Sequence, residues 1–352
     1  MLYFMHMSRK FWKSSYEELR SICRFRVMES IWDNMIIDAE SGLLGKLNSK
    51  KNIFIYGAFR LDSFSEIDKK RYLESIYEQA RKEAALAKGK RIIIEVFDVN
   101  SKSGHSSKDI EVYLGNRLEK EGFAVDIKRP EMLIPVILFN WRCYSGIAAY
   151  SQKSRKSLNP IRHYNFSRNG ISRSEMKIEE AFDRFGIRAR GVAIDLGAAP
   201  GGWSAFLAKR GFAVIAVDSA LLNAGKLAAV RIPVLDSSTA KAPKKGSVLH
   251  YRMGFAEARK MLKNTRAALL VDDMNISPAE SAKAIVSYAG LLKENGACIM
   301  TVKSVTKYVP RHLSSVKKTF GVKMQIERIA VLPSNRQELT ILCRKRAYSI
   351  EN

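Results

Sequence analysis

Cysteine is scarce and scattered in this 352-residue chain: Cys23, Cys143, Cys298 and Cys343 lie far apart, with no C-x-x-C pair and no histidine at zinc-ligand spacing. That excludes a disulfide framework and a structural zinc cluster as organising devices, and no residue is assigned to a metal. Long apolar runs are missing too. None approaches the roughly 20 residues that a membrane-crossing helix needs, so a membrane protein is not expected. The opening M-L-Y-F-M-H-M runs directly into Ser8-Arg9-Lys10 without a small-residue cleavage site, which does not read as a signal peptide and points to a cytoplasmic chain. Negative charge is the third deficit: 35 Asp and Glu stand against 60 Lys and Arg, a formal net charge of +25. Such an imbalance concentrates polyanions, nucleic acid above all, around a protein.

The positive charge is not evenly spread. From Ser151 to Arg173 the chain carries Lys153, Arg155, Lys156, Arg162, Arg168 and Arg173 with no acidic residue, interleaved with His163, Tyr164 and Phe166. Cations for phosphates alternate there with rings that stack on bases. A length of 352 residues with 46% hydrophobic content suits more than one globular domain. The pattern predicts a helix around Tyr16 to Cys23, a strand at Asn52 to Tyr56, a long amphipathic helix from Ser65 to Ala87, a strand at Ile92 to Phe97, a helix near Lys108 to Glu121, and strands at Phe123 to Ile127 and Met132 to Phe139.

The stretch F-D-V-N-S-K-S-G-H-S-S-K-D-I-E-V-Y-L-G-N-R-L-E-K-E-G-F-A-V-D-I-K-R-P-E-M-L-I-P-V-I-L, Phe97 to Leu138, resembles the THUMP domain of RNA-modifying enzymes. The expected organisation is therefore a ferredoxin-like α+β unit at 1–90, a THUMP-like RNA-binding unit at 91–150, a basic linker at 151–175 and a catalytic domain at 176–352.

From Gly191 onward, strands at Val192 to Asp195, Ala213 to Val217, Ser247 to His250, Ala267 to Val271, Gly296 to Val302, Met324 to Val331 and Leu339 to Arg344 alternate with helices starting near Gly202, Pro278 and Tyr308. That alternation predicts a doubly wound, parallel-rich α/β sheet of seven strands whose last two form an antiparallel hairpin, the Rossmann-like methyltransferase variant. In such folds a ligand sits beyond the carboxyl ends of the strands where strand order reverses. The first turn there reads D-L-G-A-A-P-G-G-W-S, Asp195 to Ser204. Its glycines, Gly197, Gly201 and Gly202, are spaced G-x-x-x-G-G, unlike the G-x-G-x-x-G of dinucleotide sites. An acidic residue at its head suits S-adenosylmethionine, which is cationic and carries no phosphate. Asp218, closing the next strand, is placed to meet ribose hydroxyls; Trp203 reads equally as a core aromatic or a site residue; Asp236 reads as a loop carboxylate.

The same turn resembles the first motif of the FtsJ-like ribose 2′-O-methyltransferases, and further pieces follow in order. S-R-S-E-M-K-I-E-E-A-F at Ser172 to Phe182 is similar to their helix with the first catalytic lysine, here Lys177; V-D-D-M at Val271 to Met274 gives the aspartate, Asp273 rather than Asp272 because it directly precedes Met274; T-V-K at Thr301 to Lys303 gives the second lysine; R-Q-E-L-T at Arg336 to Thr340 gives Glu338. The resemblance implies a K-D-K-E tetrad of Lys177, Asp273, Lys303 and Glu338, with Lys303 as proton acceptor and direct transfer of the methyl group. Physical chemistry asks for the same groups. A ribose hydroxyl is a very weak acid that needs a base, and a lysine becomes one when a second ammonium nearby depresses its pKa.

The likeness is greatest to the RlmM family of bacterial 23S rRNA cytidine 2′-O-methyltransferases, which joins ferredoxin-like and THUMP pieces to an FtsJ-like domain. It implies cofactor contacts at Ser174, Ala199, Pro200, Gly201, Gly202, Asp218 and Asp273, beside Asp195, Gly197 and Trp203 from the turn. Where that family has an acidic residue before Gly-Phe, this chain has Met253 before Gly254-Phe255. The expected partner is structured RNA, ribosomal first and transfer RNA second. A non-catalytic RNA-binding protein is the alternative from another class, and a base methylase would instead carry an N/D-P-P-Y/F-like string where this chain has D-D-M-N-I-S-P.

Overall fold

The computed structural model describes residues 1–49, 52–100, 104–151, 170–240, 242–303, 309–321, 323–335 and 338–346. The chain divides into two compact units, residues 1–163 and 164–352. Most of the expected basic linker, with Lys153 to Arg168, lies outside the described residues.

The first unit opens with β1 (Leu2–Met7), a helix at Trp12–Ile22, β2 (Phe25–Ile31), β3 (Asn34–Ala39), a helix at Leu43–Ser49 and β4 (Ile55–Leu61). Their sheet runs β2-β3-β1-β4 with every neighbour antiparallel, the βαββαβ ferredoxin-like arrangement. Alternation along β1 sends Tyr3, Met5 and Met7 into one core with Leu19 and Ile22 of the first helix, while Phe4 joins Ile36, Ile93, Leu133 and Ile137 in another.

A second sheet of the same unit contains β5 (Ser63–Glu66), β6 (Ile92–Asp98), β7 (Met132–Phe139), β8 (Arg142–Ser145) and the short β9 (Ala148–Ala149), in the order β5-β8-β7-β6 with β9 on β7. β6 and β7 are parallel and joined through the helix Ser107–Lys120, whose N-terminus is held by a capping box between Ser106 and Asp109. The single long helix expected from Ser65 is in fact strand β5 followed by a helix at Tyr72–Leu86, which packs Ile76, Ala80 and Ala84 against Ile94, Val96 and Leu114. The expected strand at Phe123 to Ile127 reduces to one bridge between Ile92 and Val125. Asp126 ends it by accepting the Lys128 and Arg129 amides in a turn.

The second unit holds β10 (Val192–Leu196), β11 (Ala213–Val217), β12 (Val234–Asp236), β13 (Val248–Tyr251), β14 (Ala267–Asp272), β15 (Leu292–Val302), β16 (Met324–Ala330) and β17 (Leu339–Lys345) in one sheet, ordered β12-β13-β11-β10-β14-β15-β17-β16. All neighbours are parallel except β15 with β17 and β17 with β16. The sheet has eight strands, not seven. The extra one is the edge strand β12, and Asp236, expected in a loop, is its last residue. Strand order reverses between β10 and β14, so their carboxyl ends flank the crevice where a doubly wound fold takes its ligand. The helix Ser174–Phe185 buries Ile178, Ala181, Phe182 and Phe185, spaced i, i+3, i+4, i+7. It ends at Gly186 in the left-handed conformation, φ 67°.

Candidate active site

The register of the sheet explains how distant residues meet. Val302, at the end of β15, pairs with Leu339, at the start of β17. The next residues out are Lys303 and Glu338. Only an antiparallel neighbour can bring its first residue to the edge where the parallel strands end, so the final hairpin does more than close the sheet. β14 ends beside β15, with Asp272 opposite Met300, which puts Asp273 next to Lys303.

Four side chains converge there. Lys303 Nζ lies 2.5 Å from Asp273 Oδ1 and 3.3 Å from Glu338 Oε1. Lys177 Nζ lies 2.7 Å from Glu338 Oε2 and 3.6 Å from Asp273 Oδ1. The side chains are between 14% and 18% exposed, sheltered yet reachable. The structure thus brings all four expected residues into one alternating ring of charge. The expected depression of a lysine pKa does not occur at Lys303. Burial does push Lys303 down, but Asp273 and Glu338 together outweigh it and hold the ammonium above its ordinary value. Two carboxylates in contact dominate over a second ammonium that faces the same carboxylates.

The neighbouring aspartates are separated by function. Asp273 faces the lysines, whereas Asp272 is fully buried and accepts bonds from the Met274 amide at 2.9 Å and from the Ser281 hydroxyl. Burial raises Asp272 to about 6. Its role is to pin the turn that aims Asp273.

The glycine turn follows β10. Asp195 is 1% exposed and accepts a hydrogen bond from Ser204 Oγ at 2.7 Å. Burial, reinforced by Asp273, Asp272 and Asp218, lifts its carboxyl to about 8. Asp218 accepts from the Ala199 amide at 2.9 Å and the Ala220 amide at 2.8 Å, which ties the turn to the end of β11. Gly197 and Gly201 adopt positive φ, 73° and 109°, and Ala199-Pro200 is cis. The glycines are demanded by protein atoms more directly than by room for a ligand. A Cβ on Gly197 would come 2.6 Å from Met274 Cγ, and one on Gly202 would run into the Ser172 and Ser174 hydroxyls, which are 2.6 Å apart. Trp203, open between two roles in the sequence, is 3% exposed within the hydrophobic core, and its Nε1 has no partner among the described residues.

Glu180, which sequence reasoning passed over, belongs to this neighbourhood. One turn after Lys177, its Oε2 accepts from the Ser334 amide at 3.0 Å and the Ser334 hydroxyl at 2.5 Å. It thereby ties the Lys177 helix to the loop leading to Glu338. Asn335 continues the brace by donating to Thr340 Oγ1 at 2.8 Å. The available signal was a carboxylate three residues beyond a site lysine on an otherwise apolar helix face.

This set of groups fits a cationic ligand. Asp218, Asp272 and Asp273 add to the rise at Asp195, and Asp273 adds to that at Asp272, a repulsion that a bound cation relieves.

Residues 171–322 match the FtsJ-like methyltransferase family model. A curated relative from Marinomonas sp. (strain MWYL1), named Ribosomal RNA large subunit methyltransferase M, is 30% identical over 196 residues, covering 52% of this chain and 54% of its own length. A second of that name, from Pseudomonas entomophila (strain L48), is 34% identical over 136 residues, covering 36% of this chain and 38% of the relative. The matches therefore span about half, or less, of the relatives' length. Among solved structures, TrmN from Thermus thermophilus aligns with 98% of this chain and 100% of its own at 11% identity, with a TM-score of 0.42. Residues 171–322 of this chain are an FtsJ-like methyltransferase domain.

Proposed function

We propose that the chain is an S-adenosylmethionine-dependent 2′-O-ribose methyltransferase of RNA, acting in the cytoplasm on large-subunit ribosomal RNA, with transfer RNA as the second candidate. The observation that carries this reading is the ring of Lys177, Asp273, Lys303 and Glu338 at the carboxyl edge of β14 and β15, beside the glycine turn. The curated relatives' name supplies the RNA class, and the resemblance of Phe97 to Leu138 to a THUMP domain supports an RNA-binding first unit.

S-adenosylmethionine would be held at Ser174, Asp195, Gly197, Ala199, Pro200, Gly201, Gly202, Asp218 and Asp273, with Trp203 packed beneath the turn, and when bound it supplies an electrophilic methyl group. The protein's part is to position the ribose hydroxyl and receive its proton. Lys303 Nζ is that acceptor. It must first release its own proton, and Lys177, already within reach of both carboxylates, compensates them when it does. Glu338 and Asp273 orient both amines. No covalent enzyme intermediate is needed.

The test uses purified protein, radiolabelled S-adenosylmethionine and total RNA. Label is expected on ribose 2′ oxygens of ribosomal RNA, and Lys303→Ala is expected to lower transfer at least about a hundredfold while cofactor binding persists. Label on bases would refute the mechanism, and label confined to transfer RNA would select the second substrate.

A further inference from the structure

The first unit carries a feature that the methyl-transfer site does not use. Strands β2 and β3 are joined by a two-residue turn, Trp32-Asp33, with Ile31 paired to Asn34. Trp32 occupies the left-handed region, φ 56°, and is 65% exposed. That position in a tight hairpin is ordinarily filled by Gly, Asn or Asp, because a bulky side chain there is strained. A large apolar ring held 65% exposed at a strained position gains little from burial, and such outliers collect where a surface binds something. The ring is not alone. The Arg9 guanidinium lies 3.8 Å from its centroid, and Lys10 and Lys13 follow on the same segment, all three exposed. Among the described residues none of the three cations enters an ion pair. The one carboxylate in the turn, Asp33, is directed inward, 3.8 Å from His6 Nε2 and 3.1 Å from Asn34 Nδ2.

We infer that Trp32 and Arg9 form a stacking platform for an unpaired nucleotide of the RNA substrate, with Lys10 and Lys13 taking the flanking phosphates. The inference rests on the proposed RNA substrate and extends it to a contact in the first unit. An aromatic face backed by a guanidinium accepts any base, and the cations beside it suit a phosphate backbone. Edge strand β2, with Arg26, Val27 and Met28 exposed, leads the strand surface up to the platform. A second hairpin, with the turn Asn140-Trp141 between β7 and β8, has positive φ at both residues; its Trp141 ring is partly buried, packed against the core beside Tyr72, with Lys69 Nζ 4.6 Å away. Glu29, three residues before Trp32, accepts from Asn140 Nδ2 at 2.8 Å and from Arg142 Nη1 at 3.1 Å, on either side of Trp141. The two hairpins are thereby tied together.

The experiment measures binding of the full-length chain to a fluorescein-labelled 12-nucleotide oligouridylate, alongside methyl transfer to deproteinised ribosomal RNA. Trp32→Ala is expected to weaken binding by about 5- to 150-fold, the range for loss of one base stack, and to raise KM for ribosomal RNA while leaving kcat unchanged; Trp32→Phe should stay within about threefold of wild type. Trp32→Gly gives the decisive control. Glycine is at ease at positive φ, so this variant should melt a few degrees higher, roughly, than wild type while binding RNA as poorly as Trp32→Ala. If Trp32→Ala and Trp32→Gly bind and turn over like wild type while wild type methylates ribosomal RNA, the platform is overturned and the methyltransferase reading stands. If wild type neither binds the oligonucleotide nor methylates RNA, both fall.

Discussion

Lys303 shows how one residue's surroundings set the chemistry of the whole site. Its ammonium is held above the ordinary lysine value because Asp273 and Glu338 outweigh burial. A base in that state is scarce at neutral pH, so the single-turnover rate should climb about tenfold per pH unit through the alkaline range. Removing one anion has a definite sign. In Asp273→Asn the ammonium loses its nearest stabilising charge, at 2.5 Å, and its pKa falls. The alkaline rise should then begin at least about one unit lower, even though the maximal rate drops from poorer alignment. Single-turnover rates of both proteins from pH 6 to 10 would decide this, and an unmoved profile would remove Lys303 from the role of proton acceptor. The sequence could name the four residues, because motif order marks them, but not the sign of the lysine shift, which depends on carboxylate distances that no spacing reveals. Trp203 is a similar case: its place next to the glycines is compatible with contact or support, and only its burial in the core distinguishes them.

At the scale of elements, the brace between the Lys177 helix and the loop before β17 rests on Glu180. Its carboxyl is buried and raised to about 7. The unfolded chain ionises this group from its ordinary value of 4.5 upward, whereas the folded protein resists until about 7. Stability from this group is therefore present in acid, declines as the pH rises between those values, and is flat above. Glu180→Gln lacks the titration and keeps an oxygen for both Ser334 bonds. Whatever constant offset the amide introduces, the variant should gain on wild type between pH 5 and pH 8 by about 2–3 kcal/mol. Denaturant melts at the two pH values measure it, and a difference that does not change with pH would show that Glu180 stays ionised in the fold. Element identity was well marked in this half of the chain, since parallel core strands such as A-V-I-A-V read as continuous apolar runs. It was poorly marked in the first unit. β2 is mostly exposed and carries no clean alternation, and β5 has only four residues; the exception in the second unit is the three-residue edge strand β12, too short for any periodicity. Long-range pairing, which local pattern does not encode, makes those strands.

For the molecule as a whole, the excess of 60 basic over 35 acidic residues separates the two ligands of the proposed reaction. The net charge belongs to the exposed surface, whereas the cofactor turn is governed by buried carboxyls such as Asp195. Contacts to phosphates release counterions and weaken steeply with salt; short-range contacts in a sheltered pocket are screened far less. Raising potassium chloride from 50 to 200 mM should therefore raise KM for ribosomal RNA at least about tenfold, while the dissociation constant for S-adenosylmethionine changes less than about twofold. Replacing Lys10 and Lys13 together by alanine should flatten the RNA salt slope by up to about 1.4, the contribution of two phosphate contacts on a single strand, and leave the cofactor curve unchanged. An RNA KM that ignores salt would mean that the positive surface is solvated and idle, and that recognition lies entirely in uncharged contacts.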